Sequence, residues 1–361
     1  MKKNILLHGA TNCDSSNYGD YIYADMIYNY LKKKCYNVNF YQPSEFFKKN
    51  LNDYTSNLNF NKKNADLIVY LPGGYFGEGQ RPNFKENIIQ FLRFMPLGIW
   101  GAFNNKKMIV LAVGAGPLSN FFMKYGVKKI CNASLLVTTR DYASYKCISN
   151  ISHNKNLYNS GDLILTYDVK FLKKDTVQIK TINKKRKNRR ILIIHYNHNL
   201  VALEKFAEAI NIFSSKHPEY FYVVTSDSIL KSEEENLKLF KSKAKFDFFH
   251  FLYDNPYELS SLLKISDLIL TSKLHVGVIG ALLNKSVISV ACHYDKTSRF
   301  YSQIDESCRC IKLEDASPND IELLIEQYHD KNIFISNDLI QKSKLTWDLF
   351  DKKLQEVFDE R

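Results

Sequence analysis

The sequence has few of the features that would place a chain in a large protein class at sight. No run approaches the ~18 consecutive apolar residues of a membrane-spanning helix. The apolar stretch near the N-terminus is interrupted by His8 and is too short for a secretory signal. The seven cysteines are odd in number and irregular in spacing, so we expect no disulfide framework and a cytoplasmic protein in a reducing environment.

The common nucleotide-binding and metal-binding signatures are missing as well. The sequence contains neither G-x-G-x-x-G nor G-K-[ST], which removes the main support for a nicotinamide dinucleotide or a P-loop nucleotide. Cys308 and Cys310 form an isolated C-x-C pair, which alone is a poor zinc site. We therefore expect no metal and no required cofactor.

Positive charge is abundant but dispersed along the chain. The formal net charge is +12, and only Lys184 to Arg190 form a cluster. Because no pattern of a nucleic-acid-binding module accompanies that cluster, we expect no nucleic-acid partner. A basic surface fits peripheral contact with the inner face of an anionic membrane, and it fits a cleft for anionic substrates equally well.

Strand-like and helix-like segments alternate along most of the chain. This alternation predicts βαβ units and mostly parallel sheets, and a length of 361 residues predicts two domains. We predict an α/β protein with two Rossmann-like domains facing across a cleft. The predicted parts are a first domain at 1–170, a charged linker at 171–190, a second domain at 191–338, and an amphipathic helix at 339–361 that can cross back onto the first domain.

One polar cluster interrupts an otherwise apolar stretch, L-I-L-T-S-K-L-H-V-G-V-I-G-A-L-L. Ser272, Lys273 and His275 fall where a predicted strand ends and a predicted helix begins. Helix N-termini and strand ends of open α/β sheets are common sites for anions. Lys273 would add a positive charge there, and His275 could donate a proton. The alternative for His275 is a buried core histidine with its hydrogen bonds satisfied.

Other predicted strand ends also carry glycine, carboxylate, cationic or imidazole groups. These candidate residues are Asn17, Gly19 and Asp20 in N-Y-G-D, Gly73 and Gly74 in P-G-G, Gly114 and Gly116 in G-A-G-P, Arg140 in T-T-R-D, Asp162 in S-G-D, His195, and Tyr294 and Lys296 in H-Y-D-K.

Each of these residues also has a purely structural interpretation. Asp20 could cap a helix, and the glycines could serve only to turn the backbone. Arg140 could form a surface ion pair with Asp141, and His195 could simply cap the sheet. The single motifs are therefore weak, and their order along the chain is more specific.

Taken in order, these motifs resemble the polysaccharide pyruvyl transferases. The resemblance covers Gly9 to Ile304 and consists of N-x-G-D, G-G, G-x-G-P-L, R-D-x-x-S, G-D, S-x-L-H followed by x-x-V-I-x-V, and Y-x-K. It implies a fold similar to GT-B glycosyltransferases. It also implies transfer of the enolpyruvyl unit of phosphoenolpyruvate to two hydroxyls of one sugar, which gives a cyclic pyruvate ketal and phosphate.

By position, Arg140 and His275 match residues of the family's motifs, and the chemistry of the implied reaction suggests roles for these and several other residues. His275 would be the acid that protonates the donor, and Asp20 the base for the acceptor hydroxyl. Donor binding would use Arg140, Lys273, Ser272 and Leu274, with Lys296 and Arg299 as further cations. The first domain would hold the acceptor, a surface polysaccharide or its lipid-linked precursor, and the second domain the donor. The family has arginine where this chain has Lys273, and lysine lacks the bidentate fork that holds carboxylates and phosphates.

Two other functional classes share parts of this pattern. A GT-B glycosyltransferase that uses a nucleotide sugar would share the fold and the basic cleft, but it would usually offer a carboxylate in its second half, and residues 272–291 contain none. In a non-catalytic sugar- or anion-binding protein, His275 would have no catalytic role.

Overall fold

The structure is a computed structural model that describes residues 3–12, 16–51, 54, 60–78, 83–168, 176–196, 200–229 and 232–359. The chain divides into two compact units. The first unit comprises the described residues within 1–15, 20–167 and 337–361, and the second those within 16–19 and 168–336.

The first unit is built on a parallel sheet. In the residues described, its strands are β1 (Asn4–His8), β2 (Asn37–Phe40), β3 (Leu67–Tyr70), β4 (Gly73–Phe76), β5 (Met108–Ala115), β6 (Leu136–Thr139) and β7 (Leu157–Asn159). The spatial order is β2-β1-β3-β5-β6-β7, and β4 also pairs with β5. The central strands are apolar throughout because a parallel sheet is covered on both faces; all eight residues of β5 are buried.

Helices cover this sheet. They are α1 (Tyr18–Lys33, of which Asp20 onward belongs to this unit), α2 (Glu45–Asn50), α3 (Phe84–Phe94), α4 (Pro96–Phe103), α5 (Phe121–Ala133), α6 (Tyr142–Ser149) and α14 (Asn337–Asp359).

The last helix, α14, is part of the first unit. Its buried side chains include Thr346, Phe350 and Leu354. The Thr346 hydroxyl lies 2.6 Å from that of Ser160, and the Trp347 indole N–H donates to Thr166 Oγ1 at 2.8 Å. Apolar burial and these hydrogen bonds attach the C-terminal helix to residues from the first half of the sequence.

The second unit is built on another parallel sheet. Its strands, in the residues described, are β8 (Arg190–His195), β9 (Tyr220–Thr225), β10 (Phe248–His250), β11 (Leu268–Thr271), β12 (Ser286–Ala291) and β13 (Cys310–Lys312). The spatial order is β10-β9-β8-β11-β12-β13. This is the strand order of a doubly wound Rossmann sheet, in which the direction of chain progress reverses between β8 and β11.

The helices of the second unit alternate with its strands, beginning with α7 before β8. They are α7 (Val177–Arg186), α8 (Leu200–Lys216), α9 (Ser232–Lys243), α10 (Pro256–Ile265), α11 (Leu274–Leu282), α12 (Tyr294–Gln303) and α13 (Pro318–Tyr328). A separate hydrophobic core lies between helices and sheet, with Phe206, Phe213 and Phe240 among its largest side chains.

The two mostly parallel α/β sheets confirm the predicted fold class. The charged linker predicted at 171–190 differs from the structure over much of its length. Residues 169–175 lie outside the described residues, but α7 forms a helix that buries Ile179 and Ile182 within the second unit. Two isoleucines at i and i+3 are enough for one apolar face, although the surrounding lysines hide that face in the sequence pattern.

Among the described residues, we find no helix with the length and hydrophobicity that a membrane span requires.

His8, at the end of β1, is a fully buried titratable group of the first unit. Its Nε2 lies 3.2 Å from the Phe94 carbonyl oxygen, and the Tyr41 and Tyr70 rings contact its ring edge to face. Burial lowers the pKa of His8 to about 4, and the hydrogen bond to Phe94 opposes this effect. The folded protein therefore holds a neutral imidazole where an unfolded chain would bind a proton below pH ~6.5.

This difference predicts an acid-dependent loss of stability. The contribution of His8 to the free energy of unfolding is complete above pH ~6.5 and is lost as the pH falls toward 4, because only the unfolded chain takes up the proton. Between pH 7 and pH 5 this loss is about 2 kcal/mol. His8→Gln, which keeps a donor for Phe94, should reduce the pH dependence of the unfolding free energy by that amount. Denaturant unfolding at both pH values measures it, with the exposed His153→Gln as control. An unchanged pH dependence in His8→Gln would show that His8 is not the neutral buried group described.

Candidate anion site at the strand ends of the second unit

The two strands that flank the switch point of the second sheet end in polar residues. His195 ends β8, and Thr271 ends β11 directly opposite it in the register. Open α/β sheets bind ligands outside the carboxyl ends of the strands at such a reversal. Ser272, Lys273 and His275 follow Thr271 and lead into α11. The structure thus confirms the predicted strand end and helix start.

A buried ion pair crosses this site. Lys273 Nζ lies 3.2 Å from Asp227 Oδ1, and Asp227 itself is 5% exposed. Its other oxygen accepts a hydrogen bond from the Tyr18 backbone N–H at 3.2 Å. Burial favours a higher pKa for Asp227, but the positive charge of Lys273 and the hydrogen bond from Tyr18 outweigh it and lower the pKa. Asp227 is therefore a carboxylate, and it fixes the position of the Lys273 ammonium.

His195 is fully buried beside this pair. Its Nδ1 lies 3.3 Å from the Thr271 hydroxyl, and its Nε2 lies 4.0 Å from Asp227 Oδ1. Burial and the charge of Lys273 lower the pKa of His195 to about 4, against the opposing effect of Asp227. The ring is therefore neutral, and its Nε2 has no hydrogen-bond partner among the described residues.

Ser272 provides a second such atom. Its side chain is buried, and its hydroxyl has no hydrogen-bond partner in the described part of the chain. The adjacent N-terminus of α11 has Lys273 at the N-cap position, where no side chain of the described residues caps the helix. Buried polar atoms are normally paired, and helix N-termini favour anions. The strand end is thus suited to accept an anionic group.

His275 is held against the segment Asn17–Gly19, which belongs to the same unit. A Cβ atom added to Gly19 would lie 1.9 Å from His275 Nδ1 and 2.6 Å from His275 Cβ. Only glycine leaves room for the imidazole. The segment is anchored nearby, because the Ser16 hydroxyl donates to the Asp227 carbonyl oxygen at 2.8 Å and the Tyr253 hydroxyl to the Ser16 carbonyl oxygen at 2.8 Å. Gly19 of N-Y-G-D and His275 of S-K-L-H therefore form one contact.

The start of α12 brings further cations into this unit. Tyr294 begins the helix, and Lys296 and Arg299 lie on it, so the predicted loop H-Y-D-K is a helix start. Partial desolvation of the His293 ring, followed by the charges of Lys296 and Lys273, lowers the pKa of His293. The charges of Lys273 and Lys296 therefore both act on the His293 ring.

The first unit holds the other predicted residues. Asp20 is half-buried in the first turn of α1, and its Oδ1 lies 3.8 Å from the position of a Cβ on Gly73. Asp20 is not the helix cap, since the Asn17 side chain accepts the Gly19 N–H at 3.0 Å.

Gly73 and Gly74 lie in β4 and Gly114 lies in β5, so these predicted loops are wrong. Pairing of β4 with β5 extends both strands, and local sequence does not show such pairing. Gly116 follows β5.

Arg140 is buried in the first unit among carboxylates. Its Nε lies 3.6 Å from Asp141 Oδ2, and a Cβ on Gly114 would lie 2.8 Å from its guanidinium. Burial tends to lower the pKa of Arg140, but Tyr23, Asp162 and Asp141 raise it overall. Asp162 accepts hydrogen bonds from the Tyr23 hydroxyl at 2.7 Å and the Ile164 N–H at 3.0 Å. The charge of Arg140 is thus balanced within the protein, and donor binding by Arg140 stays a prediction.

Asp227 is the site residue that the sequence analysis missed. It lies in T-S-D-S, directly after the apolar strand Y-F-Y-V-V-T. It follows a predicted strand, as Ser272 and Lys273 do, so its position matches the same strand-end pattern. The interaction of Lys273 with Asp227 joins strands β11 and β9, which are not neighbours in the sheet, so no local pattern could indicate the pair.

Comparison with known proteins identifies the family. The profile described as polysaccharide pyruvyl transferase matches residues 17–294. The chain belongs to this family. The match includes every motif from N-Y-G-D to the start of α12 and confirms the resemblance found in the sequence. A comparison with curated proteins gave no significant match.

Solved structures of low sequence identity share the fold. MnaA of Staphylococcus aureus, solved with UDP, is 11% identical with a TM-score of 0.65, and the match covers 100% of this chain and 99% of that one. A putative UDP-N-acetylglucosamine 2-epimerase from Listeria monocytogenes is 9% identical with a TM-score of 0.67, and the match covers 100% of this chain and 98% of that one. The Neisseria meningitidis UDP-GlcNAc 2-epimerase bound to UDP-GlcNAc is 11% identical with a TM-score of 0.64, over 98% and 100%. These likenesses show a GT-B-like fold.

The close packing of Gly19 against His275 predicts a coupled effect on stability. Gly19→Ala should lower the free energy of unfolding by ~1–3 kcal/mol, the usual cost of overpacking, although alanine is the better helix former. In a His275→Gly background the clash is gone, so Gly19→Ala should be neutral or stabilising. Denaturant unfolding of the four proteins of this double-mutant cycle measures the coupling. Equal effects of Gly19→Ala in both backgrounds would show that the contact is unimportant.

The environment of Arg140 predicts a structural cost for its removal. Arg140→Ala leaves Asp141 and Asp162 buried without their cation, which should cost ~3–5 kcal/mol of stability, and Arg140→Lys should recover part of it. The exposed Arg93→Ala in the same unit is the control, and thermal and denaturant unfolding are the measurements. A normally stable Arg140→Ala protein with weakened donor binding would instead support the role predicted from the sequence.

Proposed function

We propose that this protein transfers the enolpyruvyl unit of phosphoenolpyruvate to two hydroxyls of one sugar in a polysaccharide or its lipid-linked precursor. The product is a cyclic pyruvate ketal, and inorganic phosphate is released. Membership of the pyruvyl transferase family supports the class of reaction. Two buried atoms, Ser272 Oγ and His195 Nε2, have no hydrogen-bond partner within the described residues. They lie beside Lys273 and the N-terminus of α11. This is the observation that supports the choice of an anionic donor.

The reaction balances without a further reactant. A proton adds to the methylene carbon of phosphoenolpyruvate, and C2 becomes electrophilic. One sugar hydroxyl forms a C–O bond to C2, the bond between C2 and the phosphate oxygen breaks, and the second hydroxyl forms the other C–O bond. The two hydroxyls lose two protons, of which one balances the proton added to the methyl group and the other leaves with phosphate.

In this scheme the α11 N-terminus binds one anionic group of the donor. Ser272 can donate its hydroxyl hydrogen to the donor, and the first backbone N–H groups of the helix are further donors for an anion. Lys273 supplies positive charge from a fixed position, because Asp227 holds its ammonium at 3.2 Å. Since Asp227 also neutralises part of that charge, the second anionic group of the donor needs other cations, and Lys296 and Arg299 on α12 are the candidates within the unit.

His275 is the proposed acid. It is the second residue of α11 and directly follows the anion-binding residues Ser272, Lys273 and Leu274. Close contact with Gly19 limits the positions open to the imidazole, and a positioned group favours proton transfer. Asp20, in the first unit, is the proposed base for the acceptor hydroxyl. We also propose that the acceptor is bound by the first unit, and that the protein acts in the cytoplasm with peripheral contact to the membrane that holds a lipid-linked acceptor.

Donor binding and turnover test the proposal separately. Phosphoenolpyruvate should bind the wild type and raise its melting temperature. Ser272→Ala and Lys273→Ala should each weaken that binding by ~10–100-fold, because each removes a hydrogen bond to a charged group worth ~1.5–3 kcal/mol. Lys273→Arg should retain it, and the exposed Lys241→Ala on α9 is the matched control. Binding of UDP or UDP-GlcNAc in place of phosphoenolpyruvate would overturn the donor assignment in favour of a glycosyltransferase.

His275→Gln separates catalysis from binding. The variant should fold and bind phosphoenolpyruvate like the wild type, but phosphate release in the presence of saccharide acceptors should fall by ~10²–10⁴-fold, the usual contribution of a positioned acid. Melting temperature and turnover are measured on one preparation. An unstable protein whose folded fraction retains normal activity would assign His275 to the core instead.

A further inference from the structure

Two histidines and a glutamate lie together near the N-terminal ends of the strands of the second sheet. His217 follows α8 and precedes β9, Glu326 is in the last turn of α13, and His329 follows that helix. One potential ligand atom from each of the three residues lies within 4.8 Å of the others. The cluster is near the N-terminal ends of the strands, since Arg190 at the start of β8 donates to the His329 carbonyl oxygen at 2.9 Å. It is therefore separate from the strand-end anion site.

The ligand atoms suit a late first-row divalent metal. His217 Nε2 lies 2.9 Å from Glu326 Oε2, and the His217 and His329 ring centroids are 5.0 Å apart. Two imidazoles and one carboxylate form a common three-residue set for Zn²⁺, with a fourth position for water. All three residues are half-buried, so an ion could reach them from solvent.

Further groups orient both rings. The Glu219 carboxylate lies 2.9 Å from His217 Nδ1, and the Tyr220 hydroxyl lies 3.1 Å from His329 Nδ1. In metal sites the non-ligating nitrogen of a histidine usually has such a partner, which fixes the ring and the tautomer. Both histidines would then present Nε2 to an ion, and Nε2 is the atom of His217 that already faces Glu326.

The neighbouring lysine leaves Glu326 with capacity to bind. Lys216 Nζ lies 2.5 Å from Glu322 Oε1 but 3.4 Å from Glu326 Oε1. Glu322 therefore takes most of the charge of Lys216. Glu326 Oε1 is buried, and its contact with the Lys216 ammonium at 3.4 Å is too long for a strong hydrogen bond. This oxygen can therefore bind a metal ion in competition with Lys216.

We propose that His217, Glu326 and His329 bind a divalent ion of the zinc class. The ion would connect the end of α8 and the start of β9 to the end of α13, and would thereby stabilise the second unit. Ring orientation by Glu219 and Tyr220 is part of the site. The site is independent of the pyruvyl transfer reaction, so either can fail without the other.

Direct metal titration tests the site. The untagged, metal-free protein is titrated with Zn²⁺ against a chromophoric chelator, and with Co²⁺ while visible absorption is recorded. We expect one tight equivalent, a tetrahedral Co²⁺ spectrum without thiolate charge-transfer bands, and a higher melting temperature with Zn²⁺. His217→Ala and Glu326→Gln should lose this binding by at least ~100-fold, and Glu219→Gln should weaken it by ~10–100-fold.

Matched variants show whether the bound ion belongs to this cluster. His153→Ala removes an exposed histidine elsewhere, Glu234→Gln removes an exposed carboxylate of the same unit, and Cys308→Ser removes an exposed thiol; all three should bind Zn²⁺ like the wild type. Circular dichroism and metal-free melting confirm that Glu326→Gln folds. Failure of the wild type to bind Zn²⁺, or equal binding by Glu326→Gln, would overturn the proposal and leave the cluster as an ion-pair network between His217 and its two carboxylates.

Discussion

The buried ion pair between Asp227 and Lys273 is the interaction on which the candidate site depends. A carboxylate that is 5% exposed is costly to bury unless cations and hydrogen-bond donors replace its water. Here the ammonium of Lys273 and the backbone N–H of Tyr18 take that place. They belong to different segments of the second unit, so one carboxylate links the start of α11 to residues 16–19.

This arrangement also explains why a family motif distant in sequence is part of the same site. N-Y-G-D lies near the beginning of the chain, yet Ser16 and Tyr18 contact Asp227, and Gly19 contacts His275. The Gly19 position carries no side chain because the imidazole occupies that space. Fixed neighbours of this kind reduce the conformational freedom that a reacting group would otherwise lose on binding.

The sequence predicted the fold class and the location of the strand-end site well, because both depend on local patterns. Apolar runs of four to eight residues marked the central strands, and the change from L-I-L-T to S-K-L-H marked the end of β11. It did not predict β4, which depends on pairing with β5, or the helix α7, whose apolar face has only two residues. The pairing of Lys273 with Asp227 and the His217–Glu326–His329 cluster depend on contacts between segments far apart in sequence, which no single sequence pattern displays.

The position of α14 in the first unit has a consequence for the order in which the two units fold. A ribosome completes residues 168–336 of the second unit before it makes α14, whereas the first unit needs α14 to cover its own apolar surface. Phe350 and Leu354 are 0% and 2% exposed in the finished protein, and the residues that pack on them are made much earlier. Because domains generally fold as units during translation, the first unit emerges from the ribosome before the second but finishes folding after it.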